Sequence, residues 1–318
     1  ATILFLCVWY LFDLMLLAFA GALLAIILHA CAKWVEKHTP GNIGPKLSYT
    51  ATILGIVILV CFMGYWIVPR AINEGSQIVR IMPKSLAQVA AYLSRRDWGR
   101  YVVRDAHRLI SASSAGAQIS TMSTDIGQAL EGAIVIVVVG LYGALNARGY
   151  AKSLLSLFPE KRRPNVAKNS EAVIYTLRWW LIGQLVPMFA LGISTMIGLW
   201  LLGVPLAFAL GLLTGVMIFI PYVGSWLVFI PAVLVSLTRG VDTAIYVTVL
   251  YLVIHAVEGY LLTPLVQKRA VLLPPVLTIL AQLFMWKVAG LLGVALATPI
   301  AAASLVLVKR LYLHKDVA

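Results

Sequence analysis

The stretch FIPYVGSWLVFIPAV, Phe219 to Val233, is almost wholly apolar, yet Pro221, Gly224 and Pro231 are set into it. A proline inside a helix removes one backbone donor and frees an earlier carbonyl, and in hydrocarbon each unpaired group costs several kcal/mol. Irregular backbone at membrane depth is tolerated where protein or a water-filled cavity surrounds it. The stretch therefore reads as a break in a membrane helix, with Pro221, Tyr222, Gly224 and Ser225 presenting carbonyls and helix ends to a solute; the alternative is a packing kink. On the former reading, alanine at Pro221 and Gly224 together closes the helix and stops transport without unfolding the protein.

Working outward, the surroundings are those of a membrane protein. Hydrophobic residues make up 61% of the 318 and charged residues only 12%. No Asp, Glu, Lys or Arg lies between Arg178 and Arg239, and Lys287 alone lies between Arg269 and Lys309. Segments without a polar face read as helices in lipid, not as faces of a soluble core, and they lack the short alternating pattern of a β-barrel. The predicted class is an all-α integral membrane protein of about eight spans, some broken or re-entrant, with a small helical extramembrane domain.

The net charge of +13 sits between the spans, at Lys33/Lys37/Lys46, from Arg148 to Arg178, and at Lys309/Arg310/Lys315. Such clusters mark the cytoplasmic side, so the basic balance argues for a membrane lipid partner and against nucleic acid. Cys7, Cys31 and Cys61 lie in apolar sequence without metal or disulfide spacing. The chain opens at Ala1 already apolar, so a native N-terminus is expected to precede it. The run exceeds the length of a cleavable signal peptide.

Along the chain, residues 1–69 read as N-terminal spans, with a break at Asp13 between a first-helix remnant and a second helix, then a clean span, Leu47 to Val68, closed by Pro69. Residues 70–130 read as a helical periplasmic domain, 131–147 as a span, and 148–178 as a basic cytoplasmic segment punctuated by Pro159 and Pro164. Residues 179–310 form the broken-helix core and 311–318 a cytoplasmic tail. LLGVPLA at Leu201–Ala207 recurs as LLGVALA at Leu291–Ala297, which raises an internal repeat.

Within the core, His255 and Glu258 stand at i and i+3 on one helix face, about one turn before Pro264. Ionisable groups inside a membrane are costly enough that function is the default reading. The pair can take a proton or hold a cation; the structural alternative is that Glu258 reaches water and pairs with Lys268 or Arg269. Gln184 reads as an interhelical hydrogen bond.

The segments RWWLIGQLVPM, then GLWLLGVPLAFALGLLTGVMIFIPYVGSWLVFIPAVL, then HAVEGYLLTPLVQKRAVLLPPVLTILAQL and GLLGVALATP together resemble the autoinducer-2 exporter (AI-2E) family of bacterial inner-membrane transporters. The resemblance covers Ala172 to Val308, through an IPYxG motif, an acidic residue ahead of PLVQ, a following LPP and a GLLGxxxAxP close. It departs from the family at Ser225-Trp226 and at the turn CAKWVEKH. It implies an eight-helix secondary transporter of a small solute or signalling molecule, or a sodium/proton antiporter, working as a homo-oligomer.

No nucleotide-binding loop, HExxH or nucleophile-base set is present, so neither an enzyme nor a cofactor is expected. The coupling ion would be a proton or sodium. Two other classes stay open: a passive channel using the same break, and a scaffold binding a partner through residues 70–130.

Overall fold

The computed structural model describes residues 2–38, 45–94, 131–262 and 273–312, and every regular element among them is helical. The elements are α1 (Thr2–His38) and α2 (Pro45–Leu93), α3 (Glu131–Leu145) and α4 (Ala147–Ser156), and α5 (Arg163–Leu201). There follow α6 (Ala207–Met217), α7 (Gly224–Ser236), α8 (Val241–Val257) with a π-helical turn Glu258–Leu262, and α9 (Pro275–Tyr312).

Four stretches among the described residues are long and apolar enough to cross a membrane: Leu11–Glu36, Glu160–Leu201, Val241–Leu262 and Pro275–Leu311. A fifth is α3 with α4, if that pair, bent by 88°, is one span. The described residues are therefore those of an apolar, helical membrane protein.

Several local expectations are corrected. Asp13 does not break α1, which runs unbroken through 37 residues; a single exposed aspartate takes no hydrogen bond from the helix backbone. Pro69 does not close the span read from Leu47 to Val68 either. α2 passes through Pro69 and Pro83 to Leu93, so residues 70–93 continue the span helix, while 95–130 lie outside the described residues. Helix α5 begins at Arg163 with Pro164 in its first turn, where a missing donor costs nothing, so the later part of the basic segment, 163–178, and the following span are one helix. Pro231 lies inside α7 without ending it.

The described parts of the basic clusters gather at one end. Arg310 Nη1, near the end of α9, donates to the Lys168 carbonyl near the start of α5 at 3.2 Å. Leu28 and Ala32 of α1 share a buried cluster with Ile53 of α2 and Ala144 of α3.

At the opposite end, α5 turns into α6 through Gly203 and Leu206, both at positive φ. The first turn of α6 has no side-chain cap of its own. Glu74 of α2 supplies one, its Oε2 accepting from the Ala209 N–H at 2.9 Å, where a carboxylate also suits the positive end of the helix dipole. Arg70 lies over the Trp66 and Phe208 rings beside it.

Neither α6 nor α7 spans a bilayer alone: at 1.5 Å per residue they measure about 16 and 20 Å against a core of about 30 Å. They fold back on each other. Ala232 and Val235 of α7 are buried in one cluster with Ala207 and Leu210 of α6 and Leu199 of α5, which a straight α6–α7 rod would hold far apart. The result is a hairpin of two half-length helices with residues 218–223 at its tip.

Helix α9 is also doubled. Ala289 and Gly290 leave helical geometry, with φ/ψ of −138°/20° and 57°/−140°. A Cβ built on Gly293 would overlap the carbonyl of Met285, which a straight helix would hold about 12 Å away. The LLGVPLA/LLGVALA echo does not produce a local structural repeat. Its first copy contains the α5–α6 turn, whereas its second is helical throughout and follows the turn at Ala289–Gly290.

Candidate functional site

The tip of the α6–α7 hairpin is the quoted stretch. Pro221 supplies no donor, and Tyr222 sits at φ 67°, a left-handed conformation that costs a bulky residue about 1–3 kcal/mol. Gly224 makes the reversal possible. A Cβ there would overlap the backbone carbonyl of Met217 at the end of α6, so no other residue fits unless the two half-helices separate.

The freed carbonyls of the tip are served by protein. Gln184 Nε2 of α5 donates to the Ile218 carbonyl, and Gln282 Nε2 of α9 donates to the Pro221 carbonyl at 3.1 Å. The sequence expectation that these carbonyls stand open to a solute is modified accordingly: two of them already hold side-chain donors. Trp180 of α5 packs edge-on against Phe219, with ring centroids 5.7 Å apart.

A cavity of about 870 Å³ lies beside the tip. Gln184, Pro221, Tyr222, His255 and Glu258, all singled out from sequence, line it together. His255 Nδ1 lies 3.0 Å from Glu258 Oε2, with the two side chains 27% and 23% exposed. The i,i+3 pairing read from sequence is therefore made, at the point where α8 widens into the π-helical turn. His255 Nε2 is buried with no partner among the described residues.

Gly224 opens α7 and is not in the cavity wall, and Ser225 follows it in the first turn. Pro264, Lys268 and Arg269 lie outside the described residues, so the alternative pairing of Glu258 falls there too.

The structure adds residues that the sequence reading passed over. Gln282 is one; a lone glutamine in the apolar run TILAQLF carries the same signal as Gln184. Pro187 lines the cavity together with Gly183, whose carbonyl receives no hydrogen bond from residue 187 because proline has no N–H. Tyr251 is 1% exposed, lies 3.1 Å from the Thr214 hydroxyl, and packs between Phe229 and His255.

Comparison with known proteins settles the family, since the AI-2E family transporter model matches residues 1–313. The chain belongs to the AI-2E transporter family. YueF of Bacillus subtilis, named as a candidate transport protein, is 24% identical over 89% of this chain and 80% of its own length. The sll0060 protein of Synechocystis, named likewise, is 23% identical over 88% and 83%. YrrI of Bacillus subtilis, also named for transport, is 31% identical over 48% of this chain and 43% of YrrI, less than half of that relative's length. AI-2E membership and these names support a membrane transport role, and agree with the apolar helices found here.

Proposed function

We propose that this AI-2E protein is a secondary transporter that crosses the bacterial inner membrane about eight times and moves a small solute outward in exchange for protons. The coupling site is the His255–Glu258 pair. One observation carries the reading: a titratable pair opens on a cavity beside a backbone break whose strain and freed carbonyls are held by side chains from two other helices. Intramembrane ionisable pairs at broken helices are the usual place for ion coupling in such transporters. A proton taken up by the pair changes the charge facing the cavity, and the half-helices meeting there are the elements able to shift in response. The family resemblance adds a homo-oligomeric assembly to the proposal and keeps sodium as the alternative coupling ion.

The test is proton movement in proteoliposomes carrying an internal pH dye under an imposed pH gradient. Glu258→Gln, which removes the titratable charge at nearly constant volume, should insert and unfold like the wild type yet lose at least nine-tenths of the protein-dependent proton movement. Wild-type movement in that variant would refute the coupling role.

A further inference from the structure

We infer that the cavity binds a small organic cation, an ammonium carrying an apolar body. The inference rests on reading the cavity as the transport site and names its substrate class. Among the described residues lining it, the ionisable groups are His255, Glu258 and the phenols of Tyr222 and Tyr251, with no lysine or arginine. Among these described residues Glu258 is the one carboxylate.

Part of the wall is aromatic. Trp226 packs edge-on against Phe229 at 5.9 Å, Phe229 against Tyr251 at 5.6 Å, and Tyr251 lies 6.1 Å from the His255 ring. This run of rings ends at the carboxylate. Aromatic faces attract cations through their quadrupole, more strongly where water is displaced, and a carboxylate beside them fixes the position of the charge.

An inorganic cation fits less well. Hard cations require several oxygen ligands, whereas the Ile218 and Pro221 carbonyls already accept from Gln184 and Gln282. Among the described residues no group of three or more His, Cys, Asp and Glu side chains could hold a metal ion. The volume of about 870 Å³ far exceeds a bare ion and lies within the range of small-molecule sites.

The test is calorimetric titration of the full chain in detergent with 2-phenylethylammonium, with 2-phenylethanol and with sodium chloride. The alcohol keeps the ring and a hydrogen-bond donor but has no charge. The ammonium should bind at least about tenfold more tightly than the alcohol. That preference should vanish in Glu258→Gln and fall several-fold in Phe229→Leu, which keeps an apolar side chain, and sodium at equal ionic strength to a choline-free control salt should not displace the ammonium.

Equal binding of ammonium and alcohol, a preference that survives Glu258→Gln, or displacement by sodium would overturn the inference. If the ligands bind alike while Glu258→Gln still stops proton movement, the cation assignment falls and the transporter reading stands. If the preference depends on Glu258 but proton movement does not, the cation site stands and the coupling role falls.

Discussion

Two of the reversals among the described residues, at 218–223 and at Ala289–Gly290, are built differently. At Ala289–Gly290 the turn is a glycine at φ 57° folded tightly against Met285; neither Ala289 nor Gly290 lines the cavity. At residues 218–223 the turn contains a proline and a left-handed tyrosine, takes hydrogen bonds from two glutamines on other helices, and faces a histidine–glutamate pair across the cavity. A break in a membrane helix is thus not a site by itself. What separates the two is imported polar chemistry, and variants at each break should show it.

The largest effect is expected at Gly224. Gly224→Ala drives a Cβ into the Met217 backbone and should cost about 3 kcal/mol, at the upper end for overpacking. This overturns the expectation that alanine at Pro221 and Gly224 simply closes the helix. The tip is a hairpin, so there is no straight helix for it to close into. Thermal unfolding in detergent should show a large loss for Gly224→Ala and a small change for Pro221→Ala; equal values would mean the hairpin tip is not as tight as described.

At the other break, Gly290→Ala forces a side chain into a conformation that only glycine adopts comfortably, at about 1–3 kcal/mol. Its stability should drop while proton movement per inserted molecule stays near wild type. A selective loss of movement would place this second break on the transport path and dissolve the contrast.

Gln282→Leu should do the reverse, costing about 1 kcal/mol of stability through the lost hydrogen bond to Pro221 but reducing proton movement several-fold, because the tip loses one of its two supports. The smallest change is Tyr251→Phe, which removes the Thr214 partner but keeps the ring. About 0.5–1.5 kcal/mol should be lost, with movement little changed, and calorimetry beside the flux assay checks both variants.

These contrasts also mark what could be read before the fold was known. The oily spans, the break at Pro221, the role of Gln184 and the His255–Glu258 pair were legible because each depends on composition or on neighbours within one helical turn. Gln282 meeting Pro221, Glu74 capping α6 at Ala209, and Gly224 against Met217 were not, because each contact joins different elements and is set by how helices pack. Prolines were the weaker signal. Pro69, Pro83 and Pro231 lie within continuous helices, whereas Pro221 marks a true reversal, and local sequence does not encode whether neighbouring helices will satisfy the freed groups.

The central claim is that the tip at 218–223, and not the turn at 289–290, lines the transport path. In a background with Cys7, Cys31 and Cys61 replaced, Tyr222→Cys and Lys287→Cys can each be treated with a water-soluble methanethiosulfonate reagent while proton movement is followed in proteoliposomes. Tyr222 and Lys287 are both exposed and each lies at or within a few residues of one break. Modification at position 222 should abolish proton movement, and modification at position 287, confirmed by mass, should leave it at its unmodified level. Movement that survives modification at 222, or that falls equally at both positions, would contradict the account.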